Sequence, residues 1–352
     1  MGVSCRIYIR KPREGIHRAG QPINGILSYA IDEPTEYQTA VLSLIGTAKC
    51  KWTEHDGNHS HTYTGKEVFL SMHVNILNKP SDETMTLPVG AYEFRFEFIM
   101  PYDIPSSFED KHSNITYQVK AKFEKASFFS FTRRFEKQIT VYGNVNPTNT
   151  VESLTYGLQK KLFRLFSSTE HIVDLKVRIS KSFLTPGENA TLDLYVTNDS
   201  DTGITYLTTE LCSRTTYLAE GMFSNKTKVV DNTIGGCTCT TPPVLAYKTV
   251  NFACVVPTPP DLYSIQHCKI ISKEFYIRVT IHLPFPHRNA TTVIPVVIGE
   301  GHYGDCSGIV ELEDNFETGL EASISDPPPS YWEVMNEDKS QDEIGSPSKE
   351  KE

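Results

Sequence analysis

The sequence predicts an all-β protein of two tandem sandwiches followed by a disordered tail. Three observations carry this. The chain has 352 residues, more than one hydrophobic core usually serves. Its apolar side chains recur with a period of two, and turn residues interrupt these runs at the short intervals typical of sandwiches. Tyr, Phe, Val, Thr and Ile are abundant, which favours strands over helices.

The alternation is clearest where Tyr92, Phe94, Phe96 and Phe98 point one way and Glu93, Arg95 and Glu97 the other. It returns in Tyr117, Val119, Ala121 and Phe123, in Leu192, Leu194 and Val196, and in Phe275, Ile277, Val279, Ile281 and Leu283. Each set describes a half-buried strand. Pro88-Val89-Gly90, Pro101 to Pro105, Pro186-Gly187, Gly235-Gly236 and Pro257 to Pro260 supply the turns between them. One segment departs from this pattern. Leu154, Leu158, Leu162 and Leu165 recur at helical spacing, beside Phe163, Phe166, Lys160, Lys161 and Arg164. Two readings stay open: a basic amphipathic element that touches a membrane, or a linker helix or extended connector packed on the sandwiches. The second is favoured, because a dozen residues bring little membrane affinity alone.

From Gly301 to Glu352 the alternation stops, and 14 acidic residues face 3 basic ones. So little apolar surface cannot offset the entropy of ordering, which implies disorder. The remaining 300 residues hold 29 acids and 31 bases. That near-neutral body argues against nucleic acid as a partner, since phosphate neutralisation needs a concentrated basic excess. The N-terminus enters a strand-like pattern without an apolar secretory run, and no stretch reaches the length of a membrane-spanning helix. A cytoplasmic protein is expected. Its eight cysteines are then mostly reduced thiols. The sequons at Asn58, Asn114, Asn189, Asn198, Asn225 and Asn289 become ordinary turn and strand-end residues.

The N-terminal half reads Gly90-Ala-Tyr-Glu-Phe-Arg-Phe-Glu-Phe-Ile-Met-Pro101, then Ile104-Pro-Ser-Ser-Phe108, then Ile115-Thr-Tyr117-Gln-Val-Lys-Ala-Lys122, with Gly46 and Trp52-Thr53-Glu54 upstream. This resembles the arrestin N-domain. Phe183-Leu-Thr-Pro186-Gly187-Glu188, Asn198-Asp-Ser200, Val256-Pro257-Thr-Pro-Pro260, Cys268-Lys-Ile270 and Ile294-Pro295-Val-Val-Ile298-Gly299 resemble the arrestin C-domain. The resemblance runs in order over residues 5–300. It implies two arrestin-type, immunoglobulin-like sandwiches: an N-domain over 1–145, a linker that is part helical or extended over 146–170, a C-domain over 171–300 and the acidic tail over 301–352.

Within that clan the tail is the discriminating feature. Pro327-Pro328-Pro329-Ser330-Tyr331 contains a P-P-x-Y motif, and alpha-arrestins look like this. Consecutive prolines hold polyproline II at low entropic cost, and WW domains dock that helix in an aromatic groove. Pro328 and Pro329 would stack on the groove and Tyr331 would fill the adjoining pocket. The resemblance therefore implies an adaptor that joins membrane-protein cargo to a WW-domain HECT ubiquitin ligase, promoting ubiquitination, endocytosis and protein transport. Recruitment to plasma membrane and endosomes, peripheral membrane association and a monomeric state go with it. Many family members carry two such motifs, so avidity on a tandem WW array is not implied here. The rival reading is a trafficking scaffold or signalling and redox regulator that uses the same fold without a ligase.

Arg10, Lys11, Lys120, Lys122, Arg133 and Arg134 are candidates for a basic patch that meets acidic or phosphorylated cargo tails, or anionic lipid heads. Ordinary solvated charges explain them equally well. Gly299-Glu-Gly301-His-Tyr-Gly304 matches a dinucleotide fingerprint but closes a strand instead of opening a helix. His55, His59 and His61 crowd a hairpin without further ligands, and Cys237, Cys239, Cys254 and Cys268 lack zinc-site spacing. With no nucleophile elbow, phosphate loop or metalloprotease motif, neither enzyme activity nor a metal or cofactor is expected.

Overall fold

A computed structural model describes residues 2–12, 15–57, 59–77, 83–126, 132–146, 153–162, 171–220 and 225–300. Every regular element among them is a strand. The N-terminal half contributes β1 (Val3–Ile9), β2 (His17–Arg18), β3 (Pro22–Ile31), β4 (Thr35–Asp56), β5 (His59–Asn75), β6 (Met85–Leu87), β7 (Gly90–Ile99), β8 (Phe108–Glu109), β9 (Ser113–Lys125), β10 (Arg133–Ile139) and β11 (Val141–Tyr142). Strands β1-β3-β7 form one sheet and β10-β9-β4-β5 face it. As the alternation predicts, Phe96, Phe98, Tyr117, Val119, Ala121 and Phe123 are buried, while Glu93, Arg95 and Glu97 are exposed. Phe123 sits 5.3 Å, ring centre to ring centre, from Tyr29 of the facing sheet, a contact that pins the two sheets together, and 5.8 Å from Tyr37 on β4 of its own sheet. Burying each such ring contributes about 1.5–3 kcal/mol.

The C-terminal half contributes β12 (Leu154–Leu162), β13 (His171–Ile179), β14 (Phe183–Leu184), β15 (Ala190–Asp199), β16 (Tyr206–Glu220), β17 (Asn225–Thr240), β18 (Lys248–Val256), β19 (Ile271–His282) and β20 (Ala290–Ile298). Sheet β12-β13-β15-β18 packs on β17-β16-β19-β20. Its core holds Leu175, Leu194, Val196, Leu211, Ile277 and Ile294.

The helical reading of the segment after residue 153 is corrected. Leu154–Leu162 is a strand in register with β13, from Leu154 opposite Ile179 to Leu162 opposite His171. A spacing of four is a multiple of two as well as one turn of helix, so leucines at 154, 158 and 162 fit either period. Tyr156 completes the inward row of a strand, and Leu154, Tyr156 and Leu158 pack on the C-terminal core. Of the two forms of packed connector expected, the extended one is found: Leu154–Leu162 is a strand packed on the second sandwich, and the helical form is corrected. Leu165, Phe163 and Phe166 lie outside the described residues, as does the whole tail from 301.

The two sandwiches meet along a hydrogen-bonded seam. A single residue pair, Glu220 with Thr64, joins β16 to β5 and merges the larger sheets. Tyr217, Ala219, Ile265 and Ile271, all from the second half, lie in the core of the first. Strand β11 pairs in parallel with β2, and the chain then bridges Asn144 to Glu300, whose carbonyl accepts the Val145 N–H at 3.2 Å. Gly143 makes this passage possible, because a Cβ there would strike the Ile104 carbonyl.

Tyr117 is fully buried and donates its hydroxyl to the Pro105 carbonyl. Tyr117→Phe should cost about 1–3 kcal/mol by stranding that acceptor. Leu194→Ala should cost about 2–5 kcal/mol by opening a cavity in the second core. Both are read as a lower urea midpoint at unchanged m-value, and a shift under 0.5 kcal/mol in either would contradict the packing described.

Candidate functional site

The outer face of the β10-β9-β4-β5 sheet brings several cations together. Because inward positions alternate with outward ones, β9 presents Gln118, Lys120, Lys122 and Glu124 outward. Register then places Glu136 opposite Lys120 and Arg134 opposite Lys122 on β10. Lys120 lies 3.6 Å from Glu136, and Lys122 lies 2.6 Å from Glu124. The Glu124 carboxyl is held below its usual range, first by the hydrogen bond from Lys122 and then by that from Thr39 at 3.0 Å. Lys120, Lys122 and Arg134 thus share one face, with two acids partly neutralising them.

The other cations of the predicted patch sit elsewhere. Arg133 pairs with Phe123 and follows the opposite face of β10. Arg10 and Lys11 follow β1 in the opposed sheet, where the Arg10 N–H donates to Asn24 at 2.9 Å. The first end of β1 lies by Lys125, since a Cβ on Gly2 would meet the Lys125 ammonium at 3.0 Å. Arg10 is roughly 25 Å further along the strand. Register also reveals two lysines that the sequence reading missed. Lys49 on β4 stands directly opposite Lys66 on β5, next to Asn114 of β9 on the same face. Among the described residues neither is ion-paired. Directly opposed like charges destabilise a sheet. No local motif announces such a pair, because the two residues are brought together only by the hairpin.

The seam carries the second group of polar side chains. Arg18 of β2 grips Glu300 with two bonds, Nε to Oε2 at 2.7 Å and Nη2 to Oε1 at 3.2 Å. Beside it the Tyr142 and Tyr263 rings lie 4.2 Å apart. Gln266 closes on Asn146 from both ends of its amide, at 2.8 and 3.2 Å. Glu67 accepts the Lys269 N–H at 2.7 Å. Asp110 accepts from the His112 N–H at 2.9 Å and the Ser113 N–H at 2.7 Å, and Tyr217 donates to its other oxygen. Burial first, then that bond to a carboxylate, pushes the Tyr217 phenol up. A cavity of about 570 Å3 opens beside the seam, lined among others by Arg214, Gln266, His267, Lys273, Tyr276 and Pro295. Arg214 is held by Asp231 at 2.9 Å. The Lys273 ammonium lies 5.0 Å from the Phe108 ring and 5.3 Å from the Phe275 ring, and burial lowers its pKa against the pull of Asp110 and Asp261.

His55, His59 and His61 fall on the β4–β5 hairpin opposite Ser60, Asp56 and Glu54 respectively. Among the described residues no group of three or more His, Cys, Asp or Glu side chains could hold a metal ion. None of those residues forms a helix long and apolar enough to cross a membrane. Pro328, Pro329 and Tyr331 of the tail motif lie outside the described residues. The described polar groups thus fall on a charged sheet face and on the junction of the two sandwiches.

Residues 5–147 match the family model for the arrestin (or S-antigen) N-terminal domain, and residues 169–302 match that for the C-terminal domain. Arrestin domain-containing protein 17 of Caenorhabditis elegans is 26% identical over 304 residues, 81% of this chain and 68% of that one. Arrestin domain-containing protein 4 of Mus musculus is 24% identical over 354 residues, 96% of this chain and 83% of that one. Arrestin domain-containing protein 5 of Bos taurus is 22% identical over 319 residues, covering 85% and 92%. With both sandwiches in place and both domain models matched in order, the chain belongs to the arrestin family, among the arrestin domain-containing proteins or alpha-arrestins.

Proposed function

We propose that this protein is a trafficking adaptor that brings membrane-protein cargo to a WW-domain HECT ubiquitin ligase. The observation that carries the reading is Pro327-Pro328-Pro329-Ser330-Tyr331, set in an acidic tail that follows the two arrestin sandwiches. Membership of the family supports an adaptor role in trafficking, and the motif supplies the ligase. In this reading the chain performs no covalent chemistry. It raises the local concentration of ligase at cargo, and with one P-P-x-Y it does so through a single tether. The work takes place in the cytoplasm and, through cargo, at plasma membrane and endosomes.

Cargo engagement is assigned to the outer face of the N-terminal sheet. Lys49 and Lys66 supply a like-charged pair that an acidic cargo segment would relieve, and Lys120, Lys122 and Arg134 extend the same face. Arg10, Lys11 and Arg133 stand apart from it.

Calorimetry of purified WW domains against the full chain should show binding that Tyr331→Ala weakens at least tenfold. Absence of binding to any WW domain would favour the ligase-free trafficking scaffold instead. The double reversal Lys49→Glu with Lys66→Glu should weaken binding of an acidic phosphopeptide about fivefold at low salt, as expected of two exposed charge contacts. An unchanged affinity would remove cargo from this face.

A further inference from the structure

Cys239 and Cys254 meet across the C-terminal sandwich. Beyond the end of β17 the chain keeps to the flank of β16: Thr241 N–H donates to Leu207 at 3.0 Å, and Val244 exchanges both backbone bonds with Ile204, at 2.8 and 3.0 Å. Only then does it cross to the opposite sheet, where Tyr247 N–H donates to Ser200 at 3.1 Å and Lys248 begins β18 opposite Asn198. Cys239 lies five positions before Val244 and Cys254 six positions after Lys248. The chain therefore carries both to the same level on facing sheets, since each strand advances by about 3.3 Å per residue.

Both side chains point inward. Cys254 is 2% exposed, and Cys239 packs half-buried on the same apolar core. The Cys254 thiol is pushed up by burial and then by Cys239, and Thr209, opposite Cys239 in register, acts on it in the other direction. The Thr209 hydroxyl itself donates to the Cys239 carbonyl at 3.4 Å. Neighbouring thiols are otherwise engaged: Cys237 turns to the Gly235 carbonyl at 3.6 Å and Cys268 to Glu67 at 3.4 Å.

We propose that Cys239 and Cys254 are a modification site, forming an intersheet disulfide when the protein meets hydrogen peroxide. Cys239 is the more exposed sulfur and reacts first. Its thiolate attacks one peroxide oxygen, the O–O bond breaks, and the departing hydroxide takes up a proton as water, leaving a sulfenic acid. The Cys254 sulfur then displaces the hydroxyl group, which leaves as a second water with the proton from Cys254. Two thiols are oxidised by loss of two hydrogens and one peroxide is reduced to two waters. Burial, and then Cys239, pushes the Cys254 thiol up to about 12, which keeps it protonated and leaves the first attack to the more exposed Cys239. The bond would tie β17 to β18 at the open edge of the sandwich.

The test is peptide mass spectrometry of the reduced full chain after graded hydrogen peroxide. Trypsin places Cys237 and Cys239 in the peptide 229–248 and Cys254 and Cys268 in the peptide 249–269, so variants must separate them. The expected result is a linked pair two hydrogens lighter in wild type, Cys237→Ser and Cys268→Ser, absent from Cys239→Ser and Cys254→Ala. Oxidation should raise the melting midpoint by several degrees only in proteins that link. Should a variant fail to fold, fragment ions of the wild-type linked pair assign the bond to individual sulfurs. No linkage, a linkage through Cys237 or Cys268, or oxidation that stops at sulfinic acid would overturn the proposal.

Discussion

The passage of the chain through residues 141–146 is the constraint on which the rest depends. This short segment leaves the first core at Val141, pairs with β2, and then binds the last residue of the second sandwich through Asn144 and Val145. Arg18 and Glu300 close over it as a two-bonded ion pair. Such a partly exposed pair contributes little stability alone. Its value is geometric, because it fixes the final described residue of the C-terminal domain against the N-terminal one. The apolar side of the junction does the energetic work, with Tyr217, Ala219, Ile265 and Ile271 buried in the core of the other half. The two sandwiches consequently present their outer faces as one body.

An adaptor asks for this division of labour. Period-two strands place aromatic and branched side chains inward, so the outer faces are left for charge. On the N-terminal sheet they gather cations that register, not sequence proximity, brings together. The chain then continues from Glu300, at the seam, into an acidic tail bearing the proline motif. In the proposed reading cargo recognition would fall to a sheet face and ligase recruitment to the linear proline motif, two parts of one chain.

The aromatic strand from Tyr92 to Phe98 and the strand from Tyr117 to Phe123 were legible in the sequence, because each residue reports its own side of the sheet. Leu154, Leu158 and Leu162 were not, since a spacing of four serves both a helix and a strand and only pairing with β13 decides between them. The opposed lysines 49 and 66 lie on two arms of a hairpin, and only its unbroken register from Asp56 opposite His59 down to Thr47 opposite Val68 sets them face to face. The meeting of Cys239 with Cys254 depends on where the chain crosses between sheets, a distance invisible in spacing alone. By contrast, the proline motif is read locally and needs no fold to be recognised. Arg10 and Lys11 entered the basic patch by composition, and the opposed sheet separates them from it.

The most direct test of the adaptor account is a comparison of ubiquitin remnants on membrane proteins in cells that make the full chain or a chain ending at residue 300. The account predicts a defined set of membrane proteins whose ubiquitination rises with the full chain and returns to background when the tail is removed, although the shortened body stays folded and retains those proteins. If the same set were modified with or without the tail, or if no membrane protein gained ubiquitin, the role as a ligase adaptor would be contradicted.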